Sequence, residues 1–312
     1  MIKKRSAFTL LEMVFVIIIM GFLAKFGVEF LAQAYRSYIY THENSKLSNS
    51  SSMAVELIAT RLQYRIKDSV IIRNADNFSD FKTLEGETET SGYNVLEWIG
   101  YDRIGFMGNT TNNTLAWSGI LDKEYSHQIP TPPDLYSPKT NTTAINNFIQ
   151  NLSENALDIN DSAIYIMSSE SDVKSDYGWD GSAINDQNHT IHPIKSDTNI
   201  SKFVSANSDD FKMLNMNLDD ARYKLIWSAY AIVYTPGSNY DGNLTLYYNY
   251  QPWNGEKYSD GNSSILMEHV SAFRKRQSFN VIKIQVCTKS DLVKNSDTDE
   301  KQYSVCKERT VY

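Results

Sequence analysis

The chain has 312 residues, of which 41% are hydrophobic and 12% aromatic, so it can bury the core of one large domain or two small ones. Its formal charge is -7, which argues against a protein whose main task is to hold phosphate backbones. The two cysteines form no C-x-x-C pair, and this argues against a zinc ribbon or a thioredoxin-type centre.

The N-terminal segment combines a basic head with an apolar run. Lysine and arginine occupy positions 3–5, and the apolar run covers 13–24. Such a head stays on the cytoplasmic side while the run enters the membrane. Counted over 8–34, the segment is long enough to cross a bilayer at about 1.5 Å per residue. A secretory signal peptide is the alternative, but its small-residue cleavage site would follow the apolar run.

Three charged residues interrupt this apolar segment. Lys25 and Glu29 are four positions apart, so they share one face of a helix and can pair or reach the headgroups. Glu12 has no basic residue three or four positions away, and an unpaired carboxylate within lipid is costly. The sequence therefore predicts that Glu12 has a specific partner.

The residues around this acid carry a specific resemblance. The run Lys-Lys-Arg-Ser-Ala-Phe-Thr-Leu-Leu-Glu at 3–12 resembles the class III signal of type IV prepilins and type II secretion pseudopilins. The resemblance implies that a membrane-embedded prepilin peptidase cuts between Ala7 and Phe8 and that the new amine of Phe8 is methylated. Glu12 then becomes the fifth residue of the mature chain, the acid that the family keeps. Ala7 departs from the glycine that usually precedes the cut.

The same resemblance implies how subunits are held together. The cationic amine of Phe8 on an incoming subunit meets the Glu12 carboxylate of a neighbour, which relieves both desolvation costs. Loss of the leader removes three basic residues and shifts the formal charge from -7 to -10 (-7 - 3). The expected regions are a leader at 1–7, a transmembrane and filament-core helix at 8–34, an amphipathic helix at 35–68 and a periplasmic β-rich domain at 69–312.

The helical pattern continues beyond the membrane segment. Apolar residues recur at spacings of three and four, which predicts one long helix over about 9–67. The polar run 48–52 has poor helix propensity and indicates a break or kink there. The family's usual kink-forming proline is replaced by Glu29. The expected fold is α+β and pilin-like, with this long helix packed on an antiparallel β-sheet domain that carries long loops.

The remaining sequence predicts short strands separated by polar connections, with a large central insertion at 76–214. The C-terminal third resembles the J-type pseudopilin and the W-type minor pilin, in which a hairpin is followed by a valine-x-x-phenylalanine turn, here at 270–273, and an amphipathic strand. Strands are expected at 69–73, 95–98, 103–107, 163–167, 225–234, 244–250 and 281–288, a hairpin turn at 234–242, a helix at 144–152 and a surface loop at 172–212.

Candidate chemical sites are few. Cys287 and Cys306 lie close enough in sequence to form one disulfide in an exported domain, and two free thiols are the alternative. His189 and His192 have the spacing of metal ligands without a clear third, so a solvated loop is the simpler interpretation. The run 176–181 loosely resembles a calcium loop. Acceptor-like glycosylation sequences surround Asn160, Asn188, Asn199, Asn243 and Asn262.

The triplet Arg274, Lys275 and Arg276 is the dense basic cluster outside the leader. We interpret it as a solvated turn in preference to a nucleic-acid contact, although contact with DNA remains an alternative. The sequence contains no nucleophile elbow, Walker loop or dinucleotide-binding glycine pattern. We therefore expect no enzymatic activity, no cofactor and no bound metal.

These features predict a minor pilin or pseudopilin that acts in filament initiation or at the tip. It would be a single-pass protein of the bacterial inner membrane with a periplasmic C-terminal domain. The expected partners are other pilins or pseudopilins, the prepilin peptidase, the inner-membrane assembly platform and membrane lipid. A pilus-tip adhesin or DNA-uptake subunit is the alternative, because the central insertion offers extra surface. A membrane-tethered enzyme would need a convergent site that the sequence does not offer.

Overall fold

The computed structural model describes residues 9–87, 91–108, 115–127, 132–167, 171–211, 221–238, 241–294 and 302–312. The helices are α1 (Leu10–Leu62), α2 (Arg103–Met107) and α3 (Thr142–Leu152), with short 3-10 turns at Lys67–Ser69, Ile159–Asp161 and Tyr258–Asp260. The strands are β1 (Ile71–Asn74), β2 (Asn77–Thr83), β3 (Val95–Tyr101), β4 (Ile120–His127), β5 (Asp134–Tyr136), β6 (Ala163–Ile166), β7 (Ile191–Ser196), β8 (Lys202–Ser205), β9 (Ala221–Thr235), β10 (Gly242–Tyr250), β11 (Asn262–Ser278), β12 (Val281–Lys294) and β13 (Gln302–Val311).

Helix α1 has 53 residues and is about 80 Å long at 1.5 Å per residue. The break predicted at 48–52 is wrong, because α1 continues through this polar run. Ser51 is fully buried, and its hydroxyl donates to the Leu47 carbonyl at 2.8 Å. Packing of the apolar stripe on a sheet outweighs the weak propensity of the serines.

The second half of α1 packs on one face of an antiparallel sheet, as predicted. The strand order in this sheet is β2-β1-β3-β9-β10-β11-β12-β13, and α1 lies mainly against β12 and β13. Val55, Ile58 and Leu62 point from the helix into the shared core, which includes Ile284 and Val286 of β12. The long apolar helix and the antiparallel sheet together give an α+β fold.

The opposite face of this sheet is covered by the segment predicted as the surface loop 172–212, and that prediction is wrong. Tyr177 and Trp179 from this segment are almost fully buried in a second core with Trp253. The backbone at Gly178 passes close to the backbone at Pro252, and only glycine fits there. Gly178 has φ +74°, and a Cβ would lie 2.1 Å from the Pro252 carbonyl oxygen. The segment also contributes β7 and β8.

The central insertion has a hydrophobic core of its own. The pairings β9-β4-β5-β8-β7-β6 return to β9, so six strands close a ring in the part of the chain that the structure describes. Ile145 and Ile149 of α3 pack into this ring with Phe203 and Leu225. Because the N-terminal part of β9 belongs to the ring and the rest to the main sheet, one continuous strand joins the insertion to the sheet.

Two further local predictions need correction, while the other predicted strands and the helix at 144–152 lie within the observed elements to within a few residues. Residues 103–107 form α2 instead of a strand, because the Asp102 side chain caps the helix by accepting from the Gly105 amide at 3.1 Å. The expected turn at 270–273 is part of β11, where His269 (φ +59°) and a register shift between Val270 and Ala272 form a bulge.

Candidate assembly interface

The N-terminal part of α1 makes no packing contact that buries it. We call residues 10–38 the stem, and every one of them is exposed. The first buried residue of α1 is Glu43, where the helix reaches the globular domain. Large apolar residues along the stem expose 45% or more of their surface, for example Leu10 at 84% and Phe30 at 70%. An apolar rod of this kind requires lipid or other helices to cover it.

The stem also meets the requirements for a membrane span. Within α1, an 18-residue window near the N-terminus reaches a mean hydropathy of 2.2. This is the one helix, among the described residues, that is long and apolar enough to cross a membrane. Tyr35 and Tyr38 follow the apolar part and are 67% and 64% exposed, as expected for aromatic residues at the headgroup level.

Glu12 lies in the first turn of the stem and forms a capping box with Thr9. Its carboxylate accepts from the Thr9 amide at 3.0 Å and from the Thr9 hydroxyl at 3.1 Å, while the Glu12 amide donates to that hydroxyl oxygen at 3.3 Å. No cation pairs with Glu12 among the residues that the structure describes. The carboxylate therefore keeps acceptor capacity for a group from another molecule.

The other charged residues of the stem behave differently. Lys25 and Glu29 approach to 4.0 Å across one helical turn, with both side chains exposed. Such a pair reduces the cost of placing both charges near lipid. The predicted cleavage and methylation residues Ala7 and Phe8 lie outside the described residues.

The basic triplet is not a solvated turn, and it does not form one continuous basic surface. Arg274, Lys275 and Arg276 are consecutive residues of β11, so their side chains alternate between the two faces. The arginines are exposed, whereas Lys275 is buried at 6% exposure and donates to the Tyr93 carbonyl. Two arginines on one face remain available to an outside partner.

Burial of Lys275 should make stability depend on pH. Desolvation lowers the pKa of its ammonium group from 10.5 to about 8. Between pH 8 and 10.5 the unfolded chain therefore binds more protons than the folded chain, so stability rises with pH through this window; below pH 8 both states are charged and the contribution is constant. We expect the contribution of Lys275 to the free energy of unfolding to rise by about 2 kcal/mol from pH 7.5 to 9.5.

Urea unfolding of the full chain in detergent micelles checks this prediction. Lys275→Met should lack the rise between pH 7.5 and 9.5. Lys283→Met is the matched control, because Lys283 lies on the neighbouring strand β12 with its side chain 54% exposed. That variant should keep the rise. Identical pH profiles for wild type and Lys275→Met would contradict the assignment.

Cys287 and Cys306 form a disulfide, as predicted. They are directly opposite one another on β12 and β13, the strands on which α1 packs. The bond closes a loop of 19 residues in sequence separation. Constraining the unfolded chain in this way contributes about 2–4 kcal/mol.

We expect Cys306→Ser to lower the free energy of unfolding by this amount of about 2–4 kcal/mol. Cys306 is exposed, so the serine itself adds little further cost. Urea unfolding of the full chain in micelles measures the loss, and reducing agent added to the wild type should reproduce it. A variant as stable as the oxidised wild type would contradict this role for the bond.

The two histidines have separate surroundings. His189 lies between Asp176, at 3.2 Å from Nδ1, and Asp186, at 3.4 Å from Nε2. His192 is buried on β7, and its Nδ1 is 3.0 Å from the Gln187 side-chain oxygen. Within the described ranges, no group of three or more His, Cys, Asp or Glu side chains could hold a metal ion. Asp176 is instead occupied by local hydrogen bonds, including one from Thr190 at 2.9 Å.

A buried ion pair that the sequence analysis did not identify connects the covering segment to the sheet. Arg73 and Glu97 pair on adjacent strands β1 and β3, both almost fully buried. Arg73 also donates to the Trp179 carbonyl at 2.8 Å, and the Tyr250 hydroxyl donates to Glu97 at 3.1 Å. The one indication of this pair in the sequence was that two predicted strands carry opposite charges. Whether these charges meet depends on how the two strands are aligned in the sheet.

Comparisons with protein-family models, with curated proteins and with solved structures each found no match. The features of this chain that bear on function are the stem, its capped carboxylate and the packing of α1 on the sheet.

Proposed function

We propose that this chain is a minor subunit of a type IV pilus or of a type II secretion pseudopilus. In this proposal the stem lies in the bacterial inner membrane and the globular domain in the periplasm, before the subunit enters a filament. The observation that carries the proposal is the stem itself: a continuous apolar helix, exposed at every residue from 10 to 38, with the acid Glu12 in its first turn. Helices of other subunits would cover this rod in the filament.

The proposed work is structural and not catalytic. The subunit would recognise other pilins or pseudopilins, the prepilin peptidase and the inner-membrane assembly platform. The packing of α1 on β12 and β13 supports this role, because force on the stem would pass directly into the sheet. The disulfide between these two strands strengthens the same junction.

N-terminal sequencing and intact-mass measurement of the chain from membranes and from sheared filaments test the proposal. The mature chain should begin at a methylated Phe8, and the filament fraction should contain it together with other prepilin-derived subunits. A chain that keeps residues 1–7 in both fractions, or that has lost the stem, would contradict the proposal.

A second candidate function is a pilus-tip binding protein. The observation that favours it is the closed ring of six strands with its own core, which adds surface beyond the sheet on which α1 packs. If the partner is DNA, the full chain in nanodiscs should slow the migration of DNA in a native gel. Replacing Arg274 and Arg276 by uncharged residues should abolish this effect. Co-purification with other minor subunits without DNA retardation would favour assembly.

A further inference from the structure

A groove on the globular domain has features that the stem does not explain. It has a volume of about 610 Å³ and runs between the last turns of α1, the end of β3 and the middle of β9. The helix contributes Leu57 and Arg61, and β9 contributes Trp227 and Tyr230. A groove of this size accepts a few side chains of a peptide or a small molecule.

The rim of the groove is apolar and open to solvent. Four of its side chains, from three separate parts of the chain, are substantially exposed: Met53 at 74%, Leu57 at 39%, Ile104 at 50% and Leu152 at 43%. Isolated exposed apolar residues are common, but a cluster around a concave surface marks an interaction site. The unbranched methionine can adapt to different apolar partners.

The groove also contains cations that are placed over aromatic rings. Arg61 lies over the Tyr230 ring at 5.2 Å, and Arg103 lies over the Tyr64 ring at 4.6 Å. Just outside it, Lys224 lies over the ring of Tyr101 at 4.3 Å. Rings hold these cations in place without neutralising their charge.

The acidic residues of the groove are already engaged. Glu56 pairs with Arg309 at 3.3 Å on the helix surface. Asp102 is buried and accepts from the Gly105 amide and from Trp117 Nε1, both at 3.1 Å.

No carboxylate pairs with Arg61, Arg103 or Lys224 among the described residues. The Nε atom of Arg61 is buried without a hydrogen-bond partner. The groove therefore presents two guanidinium groups that pair with no carboxylate of the described residues, in a chain of net charge -7. A bound anion would supply the missing partners.

We propose that this groove binds an acidic amphipathic peptide segment of a partner protein. Apolar side chains of the segment pack between Met53, Leu57 and Leu152, while its carboxylates pair with Arg61 and Arg103. This is helix-in-groove recognition, in which apolar anchors give affinity and charges fix orientation. The inference uses only the globular domain, so it stands whether or not the stem enters a filament.

Nucleic acid fits the groove less well than a peptide. The protein's own cations cover one face of each of the tyrosine rings of Tyr64, Tyr101 and Tyr230, which leaves less ring surface for stacked bases. The aliphatic rim also has no side-chain hydrogen-bond donors to offer to the phosphates of a nucleic acid. Single-stranded DNA is therefore included in the test as a competing outcome.

The experiment uses the full chain in nanodiscs of uncharged lipid and two synthetic peptides of about four helical turns. Both peptides carry the same leucines on one face, and the other face carries glutamate in one and lysine in the other. Fluorescence anisotropy measures their binding, with a thymidine oligonucleotide as the third probe. We expect the glutamate peptide to bind at least about tenfold more tightly than the lysine peptide.

Variants connect this binding to the groove. Arg61→Met and Arg103→Met keep an apolar side chain of similar length and remove the charge. Each variant should therefore bind the glutamate peptide about five- to tenfold more weakly. Lys283→Met is the control, since the Lys283 side chain is a cation on β12 that is 54% exposed and lies outside the groove, and this variant should bind the peptide as wild type does. Thermal unfolding verifies that each variant is folded.

Three results would overturn the proposal. The first is equal binding of the glutamate and lysine peptides, and the second is no binding of the glutamate peptide up to about 1 mM. The third is glutamate-peptide binding that Arg61→Met and Arg103→Met leave unchanged. If the oligonucleotide binds more tightly than the peptide and depends on the same two arginines, the site belongs to nucleic acid instead.

Discussion

Glu12→Ala is expected to leave the chain cleaved and membrane-inserted but to reduce its incorporation into filaments at least about tenfold, since an intramembrane charge that loses its partner costs about 2.5–3.5 kcal/mol. In the proposed filament, the Glu12 carboxylate neutralises the amine of a neighbouring subunit. Without it that amine remains charged and unpaired among apolar helices. Mass spectrometry of membrane and sheared-filament fractions measures cleavage and incorporation separately.

Two further variants separate the charge from the local structure. Glu12 also closes the capping box with Thr9, and loss of a cap costs about 1 kcal/mol of helix stability. Glu12→Gln keeps a capping side chain and removes the charge, so it should be as defective as Glu12→Ala if the charge matters. Lys25→Met combined with Glu29→Ala removes both members of the intrahelical pair without leaving a charge unpaired, and this double variant should incorporate nearly as wild type. Normal incorporation of Glu12→Ala would contradict the amine–carboxylate pairing.

Arg73→Met is expected to lower the free energy of unfolding by about 3–5 kcal/mol, because it leaves Glu97 buried without its cation. The variant also removes the donor to the Trp179 carbonyl, so the segment that covers the second face of the sheet should loosen. Urea unfolding in micelles measures the first effect. Hydrogen exchange around residue 179 measures the second.

The pH dependence of this loss follows from Glu97. Burial raises the pKa of its carboxyl group, and Arg73 opposes that increase. Without Arg73 the folded chain takes up a proton at Glu97 more readily than the unfolded chain, so its stability falls as pH rises above the unfolded pKa. The deficit of Arg73→Met should therefore be larger at pH 8 than at pH 5.

A double variant provides the control for the buried pair. Arg73→Met combined with Glu97→Leu removes both charges, and replacing a buried pair by apolar groups is often close to neutral. The double variant should recover part of the loss, with the rest due to the unpaired Tyr250 hydroxyl and the Trp179 carbonyl. Equal instability of the single and double variants would show that lost hydrogen bonds, not the isolated charge, dominate.

Features that depend on nearby residues were predictable from the sequence. The apolar run and its periodicity specify the stem and the packed half of α1, and the helix begins at Leu10, next to the predicted start at about residue 9. Strands rich in β-branched and aromatic residues were also found close to their observed bounds. The disulfide followed from two nearby cysteines in a domain expected to be exported.

Tertiary structure decided the features that depend on residues far apart in the chain. The polar composition of 172–212 indicates a loop, but the carbonyl of Trp179 accepts from Arg73, 106 residues away, and this segment becomes a cover for the sheet. Strand register places Lys275 inside and its arginine neighbours outside. The cations of the groove come from α1 and α2, and they meet only after the sheet has formed. Local periodicity reports which face of an element is apolar, but not which distant element will cover it.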